Sequence, residues 1–132
     1  MDSRKSNDPA PTSEDAFTQI LKEIKDQGHF MASILVSTEG LPVASVSAPF
    51  DTDTVAAMAA LIKNVVRQAR TQLGLAWVDE VSIVDDDKIR LTCRYFVVDG
   101  EELILAIVAP PYQPYRRLTN QAIREIRRCW LG

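Results

Sequence analysis

The stretch KIRLTCRYFVVDGEELILAIVA, residues 88–109, holds two strands of different character. In its first half Ile89, Leu91, Cys93, Tyr95 and Val97 alternate with Arg90, Thr92, Arg94 and Phe96, the period of two expected of a strand whose faces meet different surroundings. In its second half Leu103-Ile104-Leu105-Ala106-Ile107-Val108 is apolar throughout, as a strand must be when both faces are covered. Asp99-Gly100 between them is a hairpin turn. The last strand is therefore central, and helices are required on both sides of its sheet.

Upstream, residues 34–47 read ILVSTEGLPVASVS, a second hairpin in which Gly40 supplies the positive φ of a tight turn. Its first strand, from about Phe30 to Val36, is nearly as apolar as the last, so strands one and five are expected side by side in mid-sheet. Strand two reaches about Ser47, where Pro49 closes the segment. A third strand, from about Trp77 to Val84, turns through Asp85-Asp86-Asp87 into the strand at 88–98.

Three helices separate and flank these strands. The first is expected from an N-cap at Thr12 or Ser13 to about Gln27, with Glu14 and Asp15 in its first turn, Phe17, Ile20, Leu21 and Ile24 on one face, and Gly28 as its stop. The second starts near Asp51 or Asp53 and runs to Leu73, with Gly74 ending it. The third follows Pro110, Pro111 and Pro114, spanning Tyr115 to about Trp130 with Leu118, Ala122, Ile126 and Cys129 as its buried stripe. The order is αββαβββα. Residues 1–12, polar and carrying two prolines, are expected as a flexible tail on one domain at 13–132.

Composition narrows the chemistry. With 132 residues and 46% hydrophobic content, one core forms without metal or disulfide staples. A net charge of −3 argues against a general nucleic-acid binder. Cys93 and Cys129 lack metal or redox spacing and are expected as reduced thiols. No apolar run reaches the roughly 18 residues of a membrane span, and the N-terminus lacks a signal-peptide core, so a soluble cytoplasmic protein is expected.

No nucleotide-binding glycine motif is present. His29, the single histidine, stands at a helix-to-strand junction rather than beside a nucleophile. The three aspartates at 85–87 lack the spaced ligands of a calcium loop. Neither catalytic residues, metal nor cofactor is expected. Arg116, Arg117, Arg124, Arg127 and Arg128 fall opposite the buried stripe of the last helix, as on any amphipathic surface helix, and do not suggest nucleic-acid readout.

The second helix, DTVAAMAALIKNVVRQARTQL at 53–73, is more informative. Val55, Met58, Ala59, Ile62, Val66, Ala69 and Leu73 form a stripe for the sheet. Ala57, Leu61 and Val65 widen the apolar arc to about 200°, twice the roughly 100° one contact uses, so a second cover is expected in the form of a dimer interface. Ala56, Ala57 and Ala60 would let another backbone approach closely. Lys63, Arg67 and Arg70 on the polar face are candidates for partner contact.

With this order, the hairpin Gly40-Leu41-Pro42-Val43-Ala44 and the alanine-rich second helix, the chain resembles the roadblock/LC7 family over about residues 13–131. The resemblance implies an α+β, three-layer α/β/α roadblock fold of profilin-like or longin-like type. Its five-stranded antiparallel sheet has strand order 2-1-5-4-3. The second helix lies on one face and the terminal helices on the other. It also implies a homodimer formed through second helices and third strands, serving as a platform or regulator for a small Ras-like GTPase or as a dynein light chain. The Arg-rich last helix has no counterpart in that pattern. The alternative is a PAS- or GAF-like ligand sensor, for which the sequence offers no convergent polar groups.

Overall fold

A computed structural model describes residues 13–47 and 49–131, and the expected tail at 1–12 lies outside them. The elements are α1 (Ser13–Gly28), β1 (Ala32–Ser37), β2 (Pro42–Val46), α2 (Thr52–Leu73), β3 (Glu80–Val84), β4 (Arg90–Val98), β5 (Glu101–Ala109) and α3 (Arg116–Leu131). The five strands form one antiparallel sheet in the order β2-β1-β5-β4-β3. The uninterrupted apolar strand β5 is central, with Leu103 to Ala109 all buried.

Two cores lie on the two faces of the sheet. On one, Phe17, Leu21 and Ile24 of α1 meet Leu35, Leu105 and Ile107 of the sheet and Leu118, Ala122 and Ile126 of α3. On the other, Ala56 and Ala59 of α2 pack on Ile34, Val36, Cys93, Tyr95, Ile104 and Ala106. Alternate residues of one strand serve opposite cores, so a one-residue slip would exchange them.

The turns follow local chemistry. Asp99 and Gly100 both take positive φ, 51° and 80°, in a two-residue hairpin between Val98 and Glu101. At the β3–β4 turn the Asp85 carboxylate accepts from the Ile89 N–H at 2.9 Å, which binds part of the aspartate run to the turn itself.

Several boundaries differ from expectation. α1 ends at Gly28 as expected, but the glycine is not the left-handed residue that closes it. His29 takes the left-handed conformation at φ 55°, and the Phe30 N–H donates to the Lys25 carbonyl at 3.0 Å, a Schellman closure. Gly28 serves another need, since a Cβ there would meet the Phe30 ring at 2.5 Å. α1 begins at Ser13, while Thr12 lies outside the described residues. β1 starts at Ala32 rather than Phe30, and β3 starts at Glu80 rather than Trp77. Of the predicted sheet-facing stripe of α2, Met58 and Leu73 are instead exposed, while Ala56 is fully buried.

Candidate functional site

α2 is built to be a stable 22-residue rod. The Asp51 side chain caps it by accepting from the Thr54 N–H at 3.3 Å, and Gly74 at φ 71° closes it with its N–H on the Arg70 carbonyl at 2.9 Å. Its inner side rests on the sheet. Its outer side carries Ala57, Leu61 and Val65, all exposed, with Leu61 and Val65 at 64% and 62%. These three lie at helical spacing on one outward face, with Ala57 beside the β1–β2 turn and Leu61 and Val65 standing clear of it. An apolar groove of about 270 Å³ between Val55 and Met58 of α2 and Ile83 and Leu91 of the sheet carries that character to β3. β3 is an edge strand with Ile83 and Val84 exposed.

The small residues of α2 have a nearer use than a partner helix. The β1–β2 turn places Gly40, at φ 86°, directly over them: a Cβ on Gly40 would lie 3.3 Å from the Ala60 Cβ and 3.8 Å from the Ala57 Cα. The backbone that approaches α2 at Ala56, Ala57 and Ala60 is thus the chain's own hairpin.

Lys63, Arg67 and Arg70 are brought together with Val66 on one wall of a small cavity between α2 and the sheet, which Trp77, Val78, Tyr95 and Glu102 complete. They are not equivalent. Lys63 is largely buried and pairs with Glu102 at 2.5 Å. Arg70 donates through Nε to the Ala76 carbonyl at 3.1 Å and lies over the Trp77 ring at 5.4 Å. Arg67 is exposed. Trp77 in turn donates its indole N–H to the Tyr95 carbonyl at 3.4 Å, so the segment between α2 and β3 is laid along the outer edge of β4.

A second polar cluster, not anticipated from the sequence, lies on the opposite face of the sheet. Arg94, buried in β4, donates to the Thr119 hydroxyl at 2.6 Å, the Asn120 side-chain oxygen at 2.8 Å and the Asp79 carboxylate at 3.1 Å. Arg116 donates to Asp79 at 2.9 Å and also to Glu80, which accepts from the Tyr115 hydroxyl as well. Burial raises the Asp79 pKa, but hydrogen bonds from Arg116 and Arg94 outweigh it and hold the carboxyl below its usual range. Arg127 reaches the Val97 carbonyl at 3.3 Å and covers the Phe96 ring. At least two arginines of the last helix thus tie α3 to β3 and β4. The one sign in sequence is that Arg94 shares a strand face with Phe96, and its acceptors lie far along the chain.

Superposition on solved structures decides the architecture. The chain is similar to MglB of Myxococcus xanthus, with a TM-score of 0.76 at 12% identity over 88% of each chain. It is similar to the gliding protein MglB of Thermus thermophilus, with a TM-score of 0.77 at 18% identity over 92% of this chain and 93% of that one. A roadblock/LC7 domain of Streptomyces avermitilis matches with a TM-score of 0.72 at 20% identity over 86% of this chain and 96% of that one. The chain has the roadblock/LC7 fold. No family model and no curated protein sequence matches it. One further matched structure is described as MglB with a tetrameric arrangement. In roadblock/LC7 terms, Ala57, Leu61 and Val65 lie on the outward side of the second helix, whereas Lys63, Arg67 and Arg70 flank its sheet-facing side.

Proposed function

We propose that the protein is a non-catalytic homodimeric platform that binds a small Ras-like GTPase and biases its nucleotide cycle or its location. The observation that carries this reading is the uncovered outward face of α2, set apart from a cationic edge beside the sheet. Ala57, Leu61 and Val65 form an uncovered apolar face that continues toward the open edge of β3, which suits a two-fold contact with a second copy. Lys63, Arg67 and Arg70 stand apart from it beside the Trp77 cavity, Lys63 paired with Glu102 and Arg67 exposed as the cation nearest an acidic partner. Similarity to MglB, a gliding protein in one of the matched structures, supports the choice of a regulatory platform over a ligand sensor. The faces of the sheet are filled by side chains of the helices, as a platform requires.

A platform of this kind regulates only if it binds one nucleotide state of its partner better than the other. The deciding experiment is a pull-down with the tagged dimer, followed by titration of the recovered GTPase in both nucleotide states. Unequal affinities are the expected result. Failure to recover any GTPase would overturn the reading, and equal affinities would reduce it to a passive scaffold.

A further inference from the structure

The last helix carries charge that the fold does not use. α3 holds five arginines and one glutamate in a chain of net charge −3, so cations are gathered on one element. At about 100° per residue, Arg116, Arg117, Arg124, Arg127 and Arg128 fall within an arc of about 120°, opposite the buried Leu118, Ala122 and Ile126. All five are exposed. Two of them have internal partners, since Arg116 donates to Asp79 at 2.9 Å and Arg127 to the Val97 carbonyl at 3.3 Å. The side chains of Arg117, Arg124 and Arg128 make no ion pair or hydrogen bond among the described residues. Arg124 stands one turn from both Arg127 and Arg128, spacings at which like charges repel and weaken a helix. An opposing anionic surface relieves that repulsion.

The cationic field continues past the start of α3. A groove of about 540 Å³ there is lined by Lys88, Arg90, Arg116 and Arg117 and has no carboxylate in its lining. Tyr112 borders it and is 86% exposed, a ring of the kind that settles at a membrane–water boundary. Asp86 and Asp87 adjoin Lys88 in the chain and offset its charge, so the arginines of α3 set the field. Asp79 and Glu80 are already held by Arg116, and Glu125, the one acid of α3, stands at the border of the buried stripe.

The form of this face selects among anions. A protein partner draws most of its affinity from aromatic or aliphatic anchors seated in pockets, and between Arg116 and Arg128 the arc holds besides arginine only Asn120. The ridge so formed is about 18 Å long. A bilayer with anionic lipids requires only exposed cations in one plane, each raising partition about fivefold. α1 and α3 pack on one face of the sheet and α2 on the other, so the ridge is open whatever covers α2.

We infer that the outer face of α3 is a peripheral membrane-binding surface, on which Arg117, Arg124, Arg127 and Arg128 contact the phosphate and carboxylate groups of anionic lipids while Tyr112 rests among the headgroups. The contact is electrostatic and reversible. It goes beyond the platform reading and stands without it. Where both hold, a partner seated on α2 is carried on the side away from the bilayer.

The full chain is sedimented with phosphatidylcholine vesicles with and without about one-third phosphatidylserine. Co-sedimentation is expected with phosphatidylserine only, and it should fall as salt rises. Arg124→Gln with Arg128→Gln should weaken it roughly twentyfold, whereas Arg124→Lys with Arg128→Lys keeps the charge and should keep most of the binding. Circular dichroism should match wild type for both, because neither loses an internal side-chain bond. Equal binding to pure phosphatidylcholine, no binding to phosphatidylserine vesicles at low salt, or undiminished binding by the folded glutamine variant would each overturn the inference. Retention of labelled polyglutamate or duplex DNA without vesicle binding would also overturn it and give the face to an acidic protein or a nucleic acid. A failed GTPase pull-down with successful sedimentation removes the GTPase and keeps the membrane face, and the reverse outcome removes the membrane face alone.

Discussion

Gly40 and Ala60 meet at the tip of the β1–β2 hairpin, where a Cβ on the glycine would lie 3.3 Å from that of the alanine. The contact joins the outermost hairpin of the sheet to the middle of α2. It also explains a run of small residues that would otherwise suggest a tight pair of helices. Ala60→Leu should overpack this point and cost about 1–3 kcal/mol. Gly40→Ala combines the same crowding with an unfavourable φ of 86°. Urea or thermal melts of both variants check this, and an unchanged midpoint would show that the hairpin tip yields freely.

The dimer prediction uses residues that this contact leaves free. Leu61→Glu should convert a dimer to a monomer, since each two-fold contact would place two carboxylates in an apolar interface, at several kcal/mol per unpaired ion. The circular dichroism spectrum should not change, because Leu61 is 64% exposed in the single chain. Light scattering at tens of micromolar reads the result, and a monomeric wild type would sink the dimer outright.

Partner binding is best probed at Arg67. A double Arg67→Glu, Arg70→Glu change alters two things at once, because Arg70 also holds the Ala76 carbonyl and the Trp77 ring. Arg67→Glu alone reverses charge at an exposed position. It is expected to weaken GTPase binding about tenfold at low salt and less at high salt, mainly through the association rate. Titration of the partner at two salt concentrations reads both effects.

Arg94 should dominate the stability of the opposite face. Arg94→Ala removes the donor shared by Thr119, Asn120 and Asp79 and is expected to cost about 2–3 kcal/mol. Arg94→Lys should recover little, since an ammonium cannot span three acceptors as a guanidinium fork does. Denaturant unfolding of the two variants beside wild type measures this directly.

Asp79 links that cluster to pH. Its carboxyl pKa is lowered in the fold, so the stability it adds is fully present above the unfolded value near 3.9 and disappears as pH falls through the lower folded value. The difference in unfolding free energy between wild type and Asp79→Asn should therefore be constant from neutral pH down to about 5 and shrink below about 4. A difference that persists at lower pH would assign the effect to shape rather than charge. The carboxylate is half exposed, which keeps the effect modest.

The architecture was legible because hydrophobic pattern alone distinguishes a strand covered on both sides from its neighbours, and Leu103 to Val108 could sit nowhere but mid-sheet. The surfaces were less legible. Met58 and Leu73 share the period of the buried stripe, yet α2 rolls toward Ala56 and Ala59, because only small side chains allow it to lie close to the sheet beside the Gly40 turn. Arg94 could not be placed on an inner face from its neighbours, since its acceptors come from residues 15 to 26 positions away. Lys63, Arg67 and Arg70 could be grouped by helical angle, but their neighbours Trp77 and Tyr95 belong to other elements.

Cys93 offers a last consequence. Burial pushes its thiol up to about 12, so at neutral pH it presents almost no thiolate to a reagent, whereas Cys129 near the end of α3 is partly exposed. A maleimide or spin label offered to the native protein should therefore attach at one point on the molecule, on the face away from α2. Each copy in an assembly would carry its own ruler mark, and distances between two such marks would report how the copies are arranged without altering any residue.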